Sequence, residues 1–279
     1  SGADDFSIGG SLAANAHGRG LDFAPLVADI ERFRLVLASG DAVDVDRTSA
    51  PELFAAVIGG YGLIGIVDTV TLRLVPRCKL ERHVRLAVID EVAAAFDDEI
   101  ALGSLYGDFQ FAVDPRDDDF LRRGVFACYR PLPDDAAMPP PTHALDDAMW
   151  RALMRLAHID KREAFRRYAA FYLASDGQRY ASDDHQFGLY PDGYHAALDP
   201  ELGHCGSELI GELYVPPAQL VAFMRRAADA FRAHGTNVVY GTVRRIRADR
   251  ETLLPWARED FLCIVFNLHV RHDAAGIAA

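Results

Sequence analysis

Two clusters of small residues carry the spacing most suited to chemistry. The first runs Phe6-Ser7-Ile8-Gly9-Gly10-Ser11-Leu12-Ala13-Ala14-Asn15-Ala16-His17-Gly18-Arg19-Gly20, and the second Gly59-Gly60-Tyr61-Gly62-Leu63-Ile64-Gly65. Residues without a Cβ let a flat or phosphate-bearing ligand lie against main-chain N–H groups, or let the chain turn tightly. Gly60, Gly62 and Gly65 also match the GxGxxG spacing of a Rossmann loop. That loop requires a strand before the glycines and a helix after them, whose N-terminus meets a pyrophosphate. Here Pro51 to Ile58 reads as a helix and Val67 to Val75 as an alternating strand, so the order is reversed and the Rossmann reading is set aside. His17 stands alone among small residues, where an imidazole either caps a turn or core carbonyl or touches a ligand.

The elements that must position these clusters follow from periodicity. Residues 1 to 20 read as a loop. Ile30 to Leu37 and Ala42 to Val45 flank Ser39-Gly40-Asp41 as a hairpin. Val70, Leu72 and Leu74 fall on one face of the strand ending at Pro76, with Thr69, Thr71 and Arg73 on the other. The texture changes after about residue 78. Val92 to Phe96 is helix-like, and Phe109 to Val113 and Val125 to Tyr129 are strand candidates. The prolines of 131–147 mark an exposed loop, and 148–174 reads as one long helix. Its Arg151, Arg155, Lys161, Arg162, Arg166 and Arg167 form either a solvated face or a peripheral contact with an anionic partner or membrane surface. Pro217 opens an amphipathic helix closed by His234-Gly235. Strands at Glu208 to Tyr214, Asn237 to Val243 and Leu262 to Val270 complete an α+β layering.

Composition bounds the function. Half of the 279 residues are hydrophobic, enough for a substantial core, and the formal net charge of −12 argues against nucleic acid as a partner. Cys78, Cys128, Cys205 and Cys263 form no CxxC pair, so neither a zinc knuckle nor a redox dithiol is suggested, and buried reduced thiols are expected.

The order of the first cluster, the hairpin, Glu52-Leu53-Phe54, the second cluster with Ile66-Val67, and Leu72-Arg73-Leu74-Val75-Pro76 resembles the second half of the FAD-binding domain of vanillyl-alcohol-oxidase (PCMH) type oxidoreductases. The rest of the chain resembles the cap of the branch containing aldonolactone and alditol oxidases, sterol Δ24-reductase and decaprenylphosphoryl-ribose oxidase. The resemblance implies an α+β fold in which residues 1–78 are the second flavin subdomain and 79–279 a cap with an antiparallel sheet. It implies FAD contacts from Ser7, Gly9, Gly10, Ala13, Ala14, Ala16, His17 and Gly18, and from Tyr61, Gly62, Gly65 and Val67. Tyr240 to Asp249 is similar to a cap strand that presents a substrate-binding arginine, which places Arg244 in that role with Thr242 on the same face. Asn267 and His269 share a face of the neighbouring strand, and Gln110, Glu212 and His185 are further candidates. The bland alternative is an ion-paired arginine among satisfied polar residues. No residue is assigned as catalytic base, and no metal is expected.

The same resemblance implies a first flavin subdomain, absent from this sequence and supplied by another chain or by residues outside it, and a C-terminal continuation that the ending Asp273 to Ala279 does not resemble. The chain is therefore expected to be truncated at both ends, and cytoplasmic. Two functions follow: an FAD-linked oxidase or dehydrogenase that takes hydride from an alcohol of a small hydroxylated, sugar-like or polyol substrate and passes electrons to oxygen or another acceptor, or a cofactor-free, catalytically incompetent fragment or binding module that retains the cap.

Overall fold

The computed structural model describes residues 6–184, 193–273 and 276. The first small-residue cluster is not the open loop expected. It forms a short helix, α1 (Ile8–Ala13), because the Ser7 hydroxyl accepts from the Gly10 N–H at 3.1 Å and caps it. The hairpin of β1 (Ile30–Leu37) and β2 (Ala42–Asp46) turns at Gly40, whose φ of 89° suits glycine. Helix α2 (Pro51–Val57) follows, then β3 (Gly65–Leu72), which pairs with the far side of β1 in an antiparallel sheet ordered β2-β1-β3. Leu12, Phe33, Leu35, Phe54 and Ile58 fill its core. Strand β3 stops three residues before its expected end, leaving Leu74 83% exposed. A bulge opposite Arg34 and Leu35 breaks the expected alternation, so Val67 and Val70 both reach the core.

Lys79 opens a larger sheet. Its elements are β4 (Lys79–Val88), α3 (Ile89–Ala101), β5 (Tyr106–Phe111), β6 (Arg123–Pro131), α4 (Asp147–Ile159), α5 (Lys161–Ala174), β7 (Arg179–Ala181), α6 (Tyr194–Leu202), β8 (Gly206–Val215), α7 (Leu220–His234), β9 (Val238–Ile246) and β10 (Phe261–Arg271). The strand order is β7-β4-β6-β5-β9-β10-β8, antiparallel at every step. Helices α3 and α7 cover one face, burying Phe96, Phe109, Phe126, Met224, Ile264 and Phe266. The α+β class and antiparallel cap sheet expected from the sequence are present. The single long helix is not: Asp160, with φ −149°, breaks it and caps α5 by accepting from the Glu163 N–H. Its cations all have partners, among them Arg151 with Asp147, Arg155 with Glu201, Arg162 with Asp117, and Arg166 and Arg167 with Glu163. Cys128 and Cys263 are buried, but Cys205 is exposed, contrary to expectation. No helix among the described residues is long and apolar enough to cross a membrane.

The second face of the large sheet carries buried polar groups, among them Arg82, Asp108, Thr242 and His269, beside the apolar Ile246, Cys263 and Val265. Helices α4 to α6 lie over part of it, and the N-terminal segment joins it where Gly107 N–H donates to the Arg19 carbonyl and Leu21 N–H to the Leu105 carbonyl, both at 2.9 Å.

Candidate functional site

The two small-residue clusters lie side by side. Gly59 N–H donates to the Leu12 carbonyl at 3.0 Å and Tyr61 N–H to the Ala13 carbonyl at 2.9 Å. Ser7, Gly9, Gly10, Ala14, Tyr61 and Gly62 are exposed along this seam, with Ala13 and Ala16 half-buried behind them. A Cβ built on Gly9 or Gly62 would meet no atom within 4 Å, so the main chain there is open to a ligand. Gly65 and Val67 have other occupations. A Cβ on Gly65 would come within 2.5 Å of the Val36 carbonyl oxygen, so glycine there serves the pairing of β1 with β3, and Val67 packs into the small core.

Asn15, which the sequence reading passed over, fixes where this segment goes. It is fully buried at a φ of 46°, a left-handed conformation that asparagine tolerates. Its amide donates to Asp249 Oδ2 at 3.0 Å and accepts from the Val27 N–H at 2.9 Å, while its carbonyl accepts from Trp256 Nε1 at 3.2 Å. The chain is thereby turned so that His17, two residues on, lies against the second face of the large sheet.

There His17 Nε2 is 3.0 Å from Glu212 Oε2, the Tyr214 hydroxyl donates to the same oxygen at 2.9 Å, and Cys263 Sγ is 3.9 Å from His17 Nε2. Trp256 stacks on Tyr214 with ring centres 5.0 Å apart and also touches the His17 ring. Burial works to raise the Glu212 carboxyl, but the hydrogen bond and charge of His17 outweigh it and hold Glu212 below the usual carboxylate range. Glu212 is thus ionised at neutral pH. Burial, and then the Glu212 charge, push the Tyr214 phenol and the Cys263 thiol up, so both keep their protons.

Arg244 sits directly across from Cys263 in the β9–β10 register, beside this cluster, and its Nε is buried with no hydrogen-bond partner among the described residues. Thr242 shares its face but is fully buried, donating to Asp108 Oδ2 and the Phe109 carbonyl, each at 3.1 Å. Asp108 also faces Arg19 at 3.8 Å, within a layer of buried phenols that includes Tyr129 and Tyr240. Gln110 lies opposite Thr242 on β5. Asn267 and His269 do share a face, yet His269 stands six residues along β10 from Cys263, about 20 Å at strand spacing. It contacts histidines and Glu208 rather than Arg244, and burial followed by the charge of His158 lowers its pKa. His185 lies outside the described residues.

Comparisons with known proteins place this geometry in context. No family model matches the chain. It is 33% identical to cytokinin dehydrogenase 6 of Oryza sativa subsp. japonica over 97 residues, 34% of this chain and 18% of that protein. It is 32% identical to the mitochondrial L-galactono-1,4-lactone dehydrogenase of Arabidopsis thaliana over 85 residues, 30% of this chain and 14% of that one. The fold is similar to that of cholesterol oxidase from B. sterolicum, with a TM-score of 0.62 and 15% identity over 96% of this chain and 58% of that chain. The chain thus spans less than two thirds of each. These similarities bear out the resemblance to FAD-linked oxidoreductases of the vanillyl-alcohol-oxidase type and, with it, the FAD expectation. The residues present fit such a group: an open stretch of main chain at Gly9 and Gly62, in the same segment that carries His17 to the ionised carboxylate of Glu212.

Proposed function

We propose that this chain forms one wall of the flavin slot and the substrate-covering cap of an FAD-dependent oxidoreductase acting on an alcohol of a hydroxylated, sugar-like or polyol substrate. Residues 1–78 are read as the flavin-side subdomain and 79–279 as the cap. The observation that carries the reading is the seam between the clusters, closed by Tyr61 N–H to the Ala13 carbonyl, beside the hydrogen-bonded His17, Glu212 and Tyr214. FAD, when bound, supplies the hydride acceptor and passes electrons to oxygen or another acceptor.

The chain's own residues divide the remaining work. Ser7, Gly9, Gly10, Ala13, Ala14 and Gly62 offer a surface without bulk against which the cofactor lies. Arg244, beside Glu212 and across the strand pair from Cys263, donates from its guanidinium to a substrate oxygen. Glu212 accepts from a substrate hydroxyl and can take its proton, while His17 and Tyr214 hold the carboxylate in place. Trp256 and Tyr214 stack on each other beside this carboxylate.

The test is FAD titration of the purified chain, alone and with a second polypeptide carrying the first flavin subdomain, read by quenching of flavin fluorescence. Saturable binding in either arm, lost in Gly9→Trp, is expected. No binding in both arms would leave the cofactor-free binding module as the reading, and binding indifferent to this exposed substitution would remove the seam as the flavin surface.

A further inference from the structure

Some 13 Å along β8 from Glu212, at roughly 3.3 Å per residue, a second polar cluster lies between the sheet and helices α4 and α6. His158 of α4 brings Nε2 to 3.2 Å from Glu208 Oε1 of β8, and His269 of β10 brings Nδ1 to 3.6 Å from the same oxygen. One ligand atom from each of the three residues can be chosen so that all lie within 4.8 Å of one another. The side chains are 3%, 14% and 1% exposed for His158, Glu208 and His269. His195 of α6 adds its Nε2 at 3.4 Å from Glu208 Oε1.

Hydrogen-bond bookkeeping fixes which nitrogen of His269 is bare. His204 Nδ1 is 3.1 Å from the Leu202 carbonyl, which only accepts, so His204 carries its proton there. Its Nε2 is then a lone pair, and His269 Nε2, 2.9 Å away, must donate to it. A neutral His269 therefore has an unprotonated Nδ1, and that lone pair faces a carboxylate oxygen. Two acceptors at 3.6 Å in a dry site repel each other unless something positive lies between them. Glu208 Oε1 and His269 Nδ1 accordingly have no hydrogen-bond partner among the described residues.

Both the spacing and the surroundings suit a metal. A zinc ion with bonds of about 2.1 Å to nitrogen and oxygen holds tetrahedral donors about 3.4 Å apart, and the two observed separations of 3.2 and 3.6 Å straddle that edge. Two of the three ligands also have the outer hydrogen bonds of a ligated site: His204 orients His269, and the Tyr194 hydroxyl donates to the second oxygen of Glu208, whereas His158 Nδ1 has no partner among the described residues. Gly206 makes room, since a Cβ there would come within 2.3 Å of His269 Cε1.

We propose that His158, Glu208 and His269 bind a structural divalent transition-metal ion, of the Zn2+ class, which pins α4 to strands β8 and β10, with His195 or water completing the coordination. The site is independent of the flavin reading.

The experiment uses the 279-residue chain stripped with a chelator and dialysed. Zn2+ titration by calorimetry, Co2+ titration by visible absorption, and melting with and without Zn2+ are then recorded. One equivalent of Zn2+ bound at micromolar or tighter affinity is expected, with four-coordinate Co2+ bands and a raised Tm. His269→Gln and Glu208→Gln should each weaken binding at least tenfold, and Gly206→Ala should weaken it by displacing the His269 ring. His17→Gln, at the other group with metal-ligand spacing, should leave it unchanged. Absence of stoichiometric binding by the unsubstituted chain overturns the proposal, as does loss of binding in His17→Gln with retention in His269→Gln.

Discussion

Replacing Asn15 by alanine should unfold the seam on which the candidate site rests, and the cost can be worked from its contacts. The side chain loses a hydrogen bond to the Asp249 carboxylate and abandons the buried Val27 N–H. Asp249 keeps Thr252 and the Glu251 N–H, so its charge is not stranded and the lower end of the charged hydrogen-bond range applies, about 1.5 kcal/mol. The orphaned Val27 N–H costs about 1 to 2 kcal/mol more, and alanine at a φ of 46° about 1 kcal/mol. Asn15→Ala should therefore lose about 4 kcal/mol, and Asn15→Gly, which escapes the backbone term, about 1 kcal/mol less. Urea unfolding followed by tryptophan fluorescence is the assay, because Trp256 donates to the Asn15 carbonyl and is one of only two tryptophans. A loss below about 1 kcal/mol, or identical losses for alanine and glycine, would refute the reasoning.

Other expectations can be checked alongside. Glu212→Gln, which keeps shape but removes the charge, should slow substrate-driven anaerobic flavin bleaching by about 100-fold in the complete enzyme with little change in KM. Arg244→Met should lower kcat/KM by about 10- to 100-fold, with partial recovery in Arg244→Lys; an unchanged value would remove Arg244 from substrate binding. Gly60→Ala, whose new Cβ would come within 2.1 Å of the Ala56 carbonyl oxygen, should cost about 2 to 3 kcal/mol by thermal melting, whereas Gly9→Ala should cost less than about 1 kcal/mol. Burial lowers the Lys161 ammonium from 10.5 to about 8. Between those values the unfolded chain binds more protons than the folded one, so stability rises with pH. Relative to Lys161→Met, the unsubstituted chain should gain about 3 kcal/mol across that window, and a flat difference between the two melting profiles would contradict it.

The sequence showed the features that repeat locally. The β1–β2 hairpin, α2 with its proline, and α7 with its closing Gly235 announce themselves through alternation, turn residues and caps. Strand β4 was missed because Lys79, Glu81, Arg82, His83 and Arg85 mask its apolar residues. The break at Asp160 was missed because its flanks share one helical texture and only the cap reveals it. At the site, the pairing of the two small-residue clusters followed from their order, but the role of Asn15 did not. An asparagine amid glycines and alanines was the available signal, and its partners Val27, Asp249 and Trp256 are distant in sequence. Glu212 ranked low as a candidate because its partner His17 lies 195 residues away. Thr242 and Arg244 do share a face, yet the side chain of Asp108 takes the threonine hydroxyl, which alternation alone cannot foresee.

Strand β8 closes the large sheet and, among the described residues, has a strand neighbour on one side only. Amides along such a border alternate between bonding inward to β10 and pointing outward, where deuterium from solvent can reach them without any opening of the fold. Glu208 and Glu212 are four residues apart and so have the same parity. Their amides therefore point to the same side, either both inward to β10 or both outward.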